Sequence, residues 1–396
     1  MSEQRDESLP EQAIEVSIVM PCLNEADTLA GCLIKAFQAL NDGGICGEVV
    51  VADNGSTDAS RQIAMEHGAR VVEVPAQGYG SALMGGIQAA RGKFVIMADA
   101  DQSYDFLEVP KFLAKLRAGY ELVQGCRLRW GGGTIRPGAM PFLHRWWGNP
   151  MFTWLVRAWF GAPIHDVYCG MRGFTKELYE RLNQRCTGME FATEMIIKAS
   201  LHDARIAEVP ITLHPDGRQA HAPHLKTFRD GWRTLRFFLL CSPRWLFLMP
   251  GLGLVLLGLL AYGLALPGIT LGPATFDAHT LLFGSLFILT GYQSILFAIL
   301  SKTYAVNEGL LPPDQRLKKF YALVNLEYGL IISAGGLVVG ISLLLLAVNT
   351  WRRAGFGHLD YSSTMRLVVP GATLTVLSVQ TVLSSFFASI LGMGKR

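Results

Sequence analysis

Beyond Trp245 the chain carries four long apolar stretches, Leu246 to Leu266, Thr280 to Leu300, Tyr328 to Val348 and Leu367 to Leu391, and none contains Asp, Glu, Lys or Arg. Each is long enough to cross a hydrocarbon core of ~30 Å as a helix. Packing them instead as core helices of a water-soluble domain fails, because this part of the chain has too little polar surface to cover them. The stretches therefore predict an α-helical transmembrane domain of four spans over residues 246–396. Half of the residues are hydrophobic and 17% are charged, and most of those charges lie before Trp245. A polar head is expected there.

Lysine and arginine set the expected orientation. Lys226, Arg229, Arg233, Arg236 and Arg244 precede the first span, and the loop to the second has none. The next loop carries Lys302, Arg316, Lys318 and Lys319, and Lys395 and Arg396 close the chain. Arg352, Arg353 and Arg366 are a partial counter-signal. The positive-inside rule places the head and both termini in the cytoplasm of a multi-pass integral membrane protein, in the cell membrane if the source is bacterial. The residues before Glu15 are polar, so no cleavable signal sequence is expected. Seven scattered cysteines without a C-x-x-C pair suit reduced thiols facing the cytosol.

Residues 226–245 read as an interfacial amphipathic helix. Arg229, Arg233 and Arg236 follow helical spacing beside Trp232, Leu235 and Leu239, so the arginines are expected at lipid head-group phosphates. A core helix with a solvated basic face is the alternative. The aromatic stretch Phe142 to Phe160 is a second candidate for membrane contact. A net charge of only +3, with the cations at the presumed interface, excludes nucleic acid as the expected partner.

Within the head, residues 1–225, the apolar runs VSIVM (16–20), EVVVA (48–52), VVEV (71–74) and KFVIMA (93–98) read as strands of a βαβ sheet. Acidic or polar clusters follow three of them: PCLNEAD from Pro21, DNGSTD from Asp53 and DADQSYD from Asp99. Ligands of open α/β sheets bind outside the carboxyl ends of such strands. A D-x-D at one of those ends sets Asp99 and Asp101 where carboxylates can hold a hard divalent cation and, through it, a pyrophosphate. Asp27 is the expected cap of a helix running to Leu40. The segment Pro21 to Asp27 has no glycine, which disfavours the dinucleotide fingerprint. Taken singly, Asp53 and Asp58 equally suit an Asx turn and a helix cap, and Arg127 an exposed cation.

Together, PCLNEAD, ADNGSTD, QGYGSAL (77–83) and DADQS resemble the nucleotide-sugar half of glycosyltransferase family two, and more narrowly its polyprenyl-phosphate group of dolichyl-phosphate glucose and mannose synthases. The resemblance runs from about Val16 to about Pro250. It implies a Rossmann-like GT-A α/β domain, with Pro21, Asn24 and Glu25 lining the nucleotide and Asp53 on base or ribose. It also implies Mg2+ or Mn2+ on Asp99 and Asp101, and Arg127 of the string Gly125, Cys126, Arg127 near the donor phosphates. Many mannose synthases read DADLQH where this chain reads DADQSY, so no donor contact is carried over to Gln102 or Ser103.

The series DVYCGMRGF, GMEFATEM and ARIAEVPI also resembles that group, particularly the members related to glucose transfer. Glu190 is expected to orient acceptor or sugar, since a phosphate acceptor is already an anion and needs positioning more than proton removal; a salt-bridged structural role is a near-equal reading. Glu190 and Glu194 are four apart and would share a helix face. Arg172, Arg218 and Lys226 are the expected acceptor-phosphate cations. The implied activity is transfer of one hexose from UDP-glucose or GDP-mannose to undecaprenyl or dolichyl phosphate with inversion; a homo-oligomer is possible. Two alternatives stay open. A processive polysaccharide synthase carries Q-x-x-R-W, but here Cys241 stands where glutamine is required before Arg244 and Trp245. A non-catalytic lipid carrier or flippase would be favoured by intramembrane charges, which the four stretches lack.

Overall fold

The computed structural model describes residues 13–218, 227–323 and 326–393. The chain divides into two compact units, Met1–Phe238 and Leu239–Arg396.

The first unit is built on a mixed seven-stranded sheet. Its strands are β1 (Val16–Cys22), β2 (Gly47–Asp53), β3 (Arg70–Glu73), β4 (Phe94–Met97), β5 (Leu122–Cys126), β7 (Arg172–Thr175) and β8 (Ile206–Pro210), in the order β3-β2-β1-β4-β7-β5-β8. Strands covered on both faces read as continuous apolar runs, and Val16, Ile18, Val19 and Met20 of β1 are accordingly fully buried. Crossovers α1 (Leu29–Asp42), α2 (Ser60–Glu66), α3 (Tyr79–Ala89) and α4 (Val109–Arg117) alternate with the strands through β5. The sequence pattern does not reveal that β7 runs antiparallel to both β4 and β5. Between β5 and β7 the chain makes a long excursion through β6 (Thr134–Ile135) and α5 (Asn149–Phe160), then α6 (Lys176–Leu182) and α7 (Phe191–Leu201) lead to β8. β9 (Thr212–Leu213) pairs with β6, and α8 (Thr227–Cys241) follows.

Parallel register sets Cys22 beside Asp53, so the loops leaving β1 and β2 emerge together. β4 ends at Met97, one strand over, and Met97 pairs with Arg172. The helix after β1 starts at Leu29 with Thr28, not Asp27, at its cap position. Thr28 bonds back to the Glu25 carbonyl and carboxylate, so local hydrogen bonding moves the start one residue on. Large apolar side chains are exposed along the excursion, with Phe142 73%, Trp147 69% and Trp154 64% accessible.

The second unit contains four helical segments long and apolar enough to cross a membrane: Arg244–Ala265, Ala278–Asn307, Leu326–Arg353 and Tyr361–Gly392. They overlap the four apolar stretches, and all four carry charges only toward their ends: Arg244, Lys302, Glu327 with Arg352 and Arg353, and Arg366. Hydroxyls join them. Tyr262 bonds Ser285 at 2.6 Å and Thr373 at 3.0 Å, and Tyr292 bonds Thr381 at 2.5 Å. Interhelical hydrogen bonds of this kind hold helices together where apolar contact gives no net drive.

Candidate active site

The loops after β1 and β2 are one hydrogen-bonded structure. Ser56 Oγ accepts from the Asn24 amide at 3.0 Å, Ser60 Oγ from the Glu25 amide at 2.9 Å, and Asp58 from the Ala26 amide at 3.1 Å. Asn24, with φ 58°, in turn accepts from the Thr57 amide at 2.8 Å. The two polar strings therefore hold each other in shape. Two residues expected on the nucleotide are held within these loops. Asn24 is turned into the partner loop, while the Asp53 carboxylate accepts from the Gly55 and Ser56 amides and pairs with Arg61 at 2.6 Å. The two amide contacts are those of an Asx turn, the use that such a string also permits.

Beside this double loop lies a cavity of about 370 Å³. Pro21, Glu25, Asp99 and Arg218, all expected at the site, line it. Asn54, Tyr79, Met189, Arg229 and Arg233 line it too and were not singled out as site residues. Asn54 also acts as a staple, since its amide donates to the Val74 and Ala76 carbonyls and its oxygen accepts from the Gly78 amide. Gly78 has φ 128°, and a Cβ there would stand 2.4 Å from the Thr187 carbonyl oxygen. Only glycine lets the start of α3 come this close to the 185–188 loop. Glu194 holds that loop from behind, accepting from the Cys186 amide at 2.8 Å while pairing with Lys198 at 2.7 Å. Glu190 and Glu194 thus do different work: Glu190 stands at the cap position of α7 and Glu194 is buried.

The D-x-D lies in the turn beyond β4. Asp99 Oδ1 accepts from the Tyr79 hydroxyl at 2.8 Å. Its Oδ2 lies where a Cβ on Gly170 would approach to 2.8 Å, so the glycine of DVYCGMRGF makes room for the carboxylate. Burial, and then the charge of Asp101, push the Asp99 carboxyl above the usual carboxylate range. Asp101 Oδ1 accepts from the Ser103 amide at 2.9 Å, and its Oδ2 faces Arg218 at 3.3 Å. Arg218 also grips Glu25 at 2.6 Å and Asp216 at 2.8 Å. Burial works against its charge, but these carboxylates outweigh it and hold the guanidinium protonated.

Glu25, Asp99, Asp101 and Asp216 gather around the Arg218 guanidinium and leave a local acidic excess. That excess suits a divalent cation. Among the described residues no three His, Cys, Asp or Glu side chains converge as a complete cage. A pair of carboxylates with the remaining positions left to water and phosphate is how Mg2+ is usually held.

Two other expected cations are committed elsewhere. Arg172 is 0% exposed and donates to the Ala192 carbonyl and, at 2.7 Å, to the Cys169 carbonyl. As a residue of a central strand it is a strut beneath the site, closed off from any acceptor phosphate. Arg127 is clamped by Asp166, which accepts from its amide at 3.0 Å, its Nε at 2.7 Å and its Nη2 at 2.8 Å. Burial is the largest influence on it and works against its charge, but Asp166 and the neighbouring groups together outweigh that and keep the guanidinium protonated, in a buried ion pair away from the cavity. Lys226 lies outside the described residues. Glu190 reaches the cavity through Arg233, whose Nε lies 3.8 Å from its Oε1. Arg229 and Arg233, expected at lipid head groups, both line the cavity.

A mixed sheet of this order, with a cavity at the carboxyl ends of β1 and β4 and a D-x-D beside it, defines a GT-A domain, here followed by a helical membrane region. Residues 17–182 match the glycosyl transferase family 2 model, and residues 299–392 match the glycosyltransferase family 2 C-terminal transmembrane region. The chain is 39% identical over 378 residues to the low-salt glycan biosynthesis hexosyltransferase Agl6 of Haloferax volcanii, covering 95% of this chain and 89% of that protein. It is 35% identical over 218 residues to the dolichyl-phosphate hexose transferase of the same organism, covering 55% of this chain and 89% of that protein. Among solved structures, glucosyl-3-phosphoglycerate synthase of Mycobacterium tuberculosis, in complex with Mn2+, UDP and glucosyl-3-phosphoglycerate, aligns at 24% identity. That alignment covers 57% of this chain and 78% of the synthase, with a TM-score of 0.45. The chain belongs to glycosyltransferase family 2.

Proposed function

We propose that this glycosyltransferase moves a single hexose, from UDP-glucose or GDP-mannose, onto the phosphate of a polyprenol such as undecaprenyl or dolichyl phosphate, with inversion at the anomeric carbon. The observation that carries this reading is one cavity with strand-end carboxylates on one wall and two helix-borne arginines on another. An acidic wall suits a cation-bridged diphosphate leaving group, and a basic wall suits an anionic nucleophile. The dolichyl-phosphate hexose transferase relative supports the acceptor class.

Asp99 and Asp101 would hold Mg2+ or Mn2+, which when bound draws negative charge from the departing nucleotide diphosphate. The chain's own residues do the rest. Tyr79 fixes Asp99, Ser103 fixes Asp101, and the Pro21 to Glu25 loop with Asn54 shapes the nucleotide wall. Glu190 orients Arg233 and takes no proton, because the attacking phosphate oxygen is already an anion.

Membranes containing the full chain, supplied with labelled nucleotide sugars and undecaprenyl or dolichyl phosphate, should form an acid-labile lipid bearing one sugar. A lengthening glycan, or transfer to polyprenol lacking phosphate, would overturn the reading. The head and both termini are assigned to the cytoplasmic side on the lysine and arginine distribution. Reporters inserted near Thr270 and fused after Arg396 should therefore report opposite compartments, and finding both on one side would remove the four-span topology.

A further inference from the structure

We infer that Arg229 and Arg233 of α8 form the acceptor-phosphate subsite, with Glu190 as the internal counter-ion that holds Arg233 until the phosphate arrives. This assignment rests on the polyprenyl-phosphate reading and names the residues that serve it. The two arginines are four apart, one helical turn, so their side chains leave the same face of α8. Both line the cavity that also contains Asp99 and Glu25. Arg218, the third cation of that cavity, is consumed by Glu25, Asp101 and Asp216. Arg229 and Arg233 are the cations there not tied to the donor-side carboxylates. Among the described residues no carboxylate pairs with Arg229, and both guanidiniums are exposed.

Glu190 completes the device. Its Oε1 stands 3.8 Å from Arg233, beyond hydrogen-bond length, and its Oε2 is buried without a hydrogen-bond partner among the described residues. A loose contact of this kind positions a side chain while leaving its donors free for a better acceptor. Two guanidiniums one turn apart present a double fork, which matches the several oxygens of a phosphate monoester and would be wasted on a hydroxyl. In sequence, α8 leads directly to the first span at Arg244. The residues that read the lipid's phosphate thus belong to the segment that tethers the head.

The same chemistry could also serve the nucleotide diphosphate of the donor, so the test must separate the two. Full-length enzyme in nanodiscs is titrated with undecaprenyl phosphate at saturating donor, then with donor at saturating acceptor. Arg229→Ala and Arg233→Ala are each expected to raise the acceptor KM by about 10- to 100-fold, the scale of one charge-assisted contact, with the donor KM unchanged. The unchanged donor KM shows that the head remains folded. Lysine at either position should recover part of the loss. Glu190→Gln should change the acceptor KM less than either alanine variant and leave kcat measurable. If the donor KM rises instead, the arginines serve the diphosphate and the assignment fails. If wild type glycosylates the lipid phosphate while both variants keep the acceptor KM, the assignment fails and the proposed function stands. If wild type glycosylates only unphosphorylated polyprenol, both fall together.

Discussion

The two walls of the cavity are built in opposite ways. On the strand-end wall the carboxylates are held by the surrounding chain: Asp99 by Tyr79 and Glu25 by Arg218 and Thr28, while Asp101, beside the cavity, is held by Ser103 and Arg218. On the helix wall Arg233 keeps one long ion pair and Arg229 none among the described residues. Under the proposed function the difference separates two tasks. Stabilising a leaving group rewards groups fixed before the reaction begins. Accepting a lipid head group that arrives and departs rewards groups free to adjust.

The largest expected effect comes from breaking the D-x-D beside the rigid wall. Asp101→Asn should leave the head folded and lower the rate of transfer by roughly 10²–10³, the scale of one preorganised electrostatic contact. Wild-type turnover in that variant, or full activity in excess chelator, would take the carboxylate pair out of the mechanism. Moving the wall without changing its charge tests rigidity itself. Gly170→Ala places a methyl group 2.8 Å from Asp99 Oδ2, and a loss of about tenfold in kcat is expected as the carboxylate shifts off its position. Retained kcat would mean that the placement of Asp99 is not demanding.

A smaller effect on chemistry, though not on folding, is expected beneath the wall. Arg172→Met should lower stability by roughly 1.5–3 kcal/mol through loss of charged hydrogen bonds to two buried carbonyls. The acceptor KM of the folded fraction should not move, and denaturant unfolding beside acceptor titration separates the two readouts. The smallest effect belongs to the rim. Arg61, partly exposed, pairs with Asp53; Arg61→Ala should cost about 1 kcal/mol or less in thermal unfolding and leave transfer untouched. A large loss of donor affinity there would return Asp53 to the nucleotide wall.

These contrasts also mark what the sequence discloses. Strand ends, the D-x-D and the four apolar stretches are local patterns, and β1, β2, β4 and the candidate spans follow them closely. Glu25 and Asp99 line one cavity together with Arg218, which was expected on the acceptor phosphate and instead pairs with Glu25, Asp101 and Asp216. Partner choice across long separations is not local. Nothing near Arg127 announces that Asp166, thirty-nine residues on, will clamp it, and nothing near Arg172 announces a central antiparallel strand. Helical spacing relates Arg229 to Arg233, yet only tertiary packing decides whether that face meets lipid or cavity. Tyr79 stood inside a recognised string, but its hydroxyl became informative only once Asp99 lay beside it.

The interlocked loops after β1 and β2 have a consequence for anyone reshaping this enzyme. Ser56, Asp58 and Ser60 supply acceptors for three successive amides, those of Asn24, Glu25 and Ala26. A chimera that imports another enzyme's first loop alone leaves those amides facing a foreign set of side chains, and losing the acceptor of the buried Glu25 amide costs about 1–3 kcal/mol. Under the proposed function, nucleotide preference would be inherited as a cassette of two segments that are distant in the gene and joined in space. Libraries that vary residues 23–26 and 55–60 together should yield folded variants that separate libraries discard.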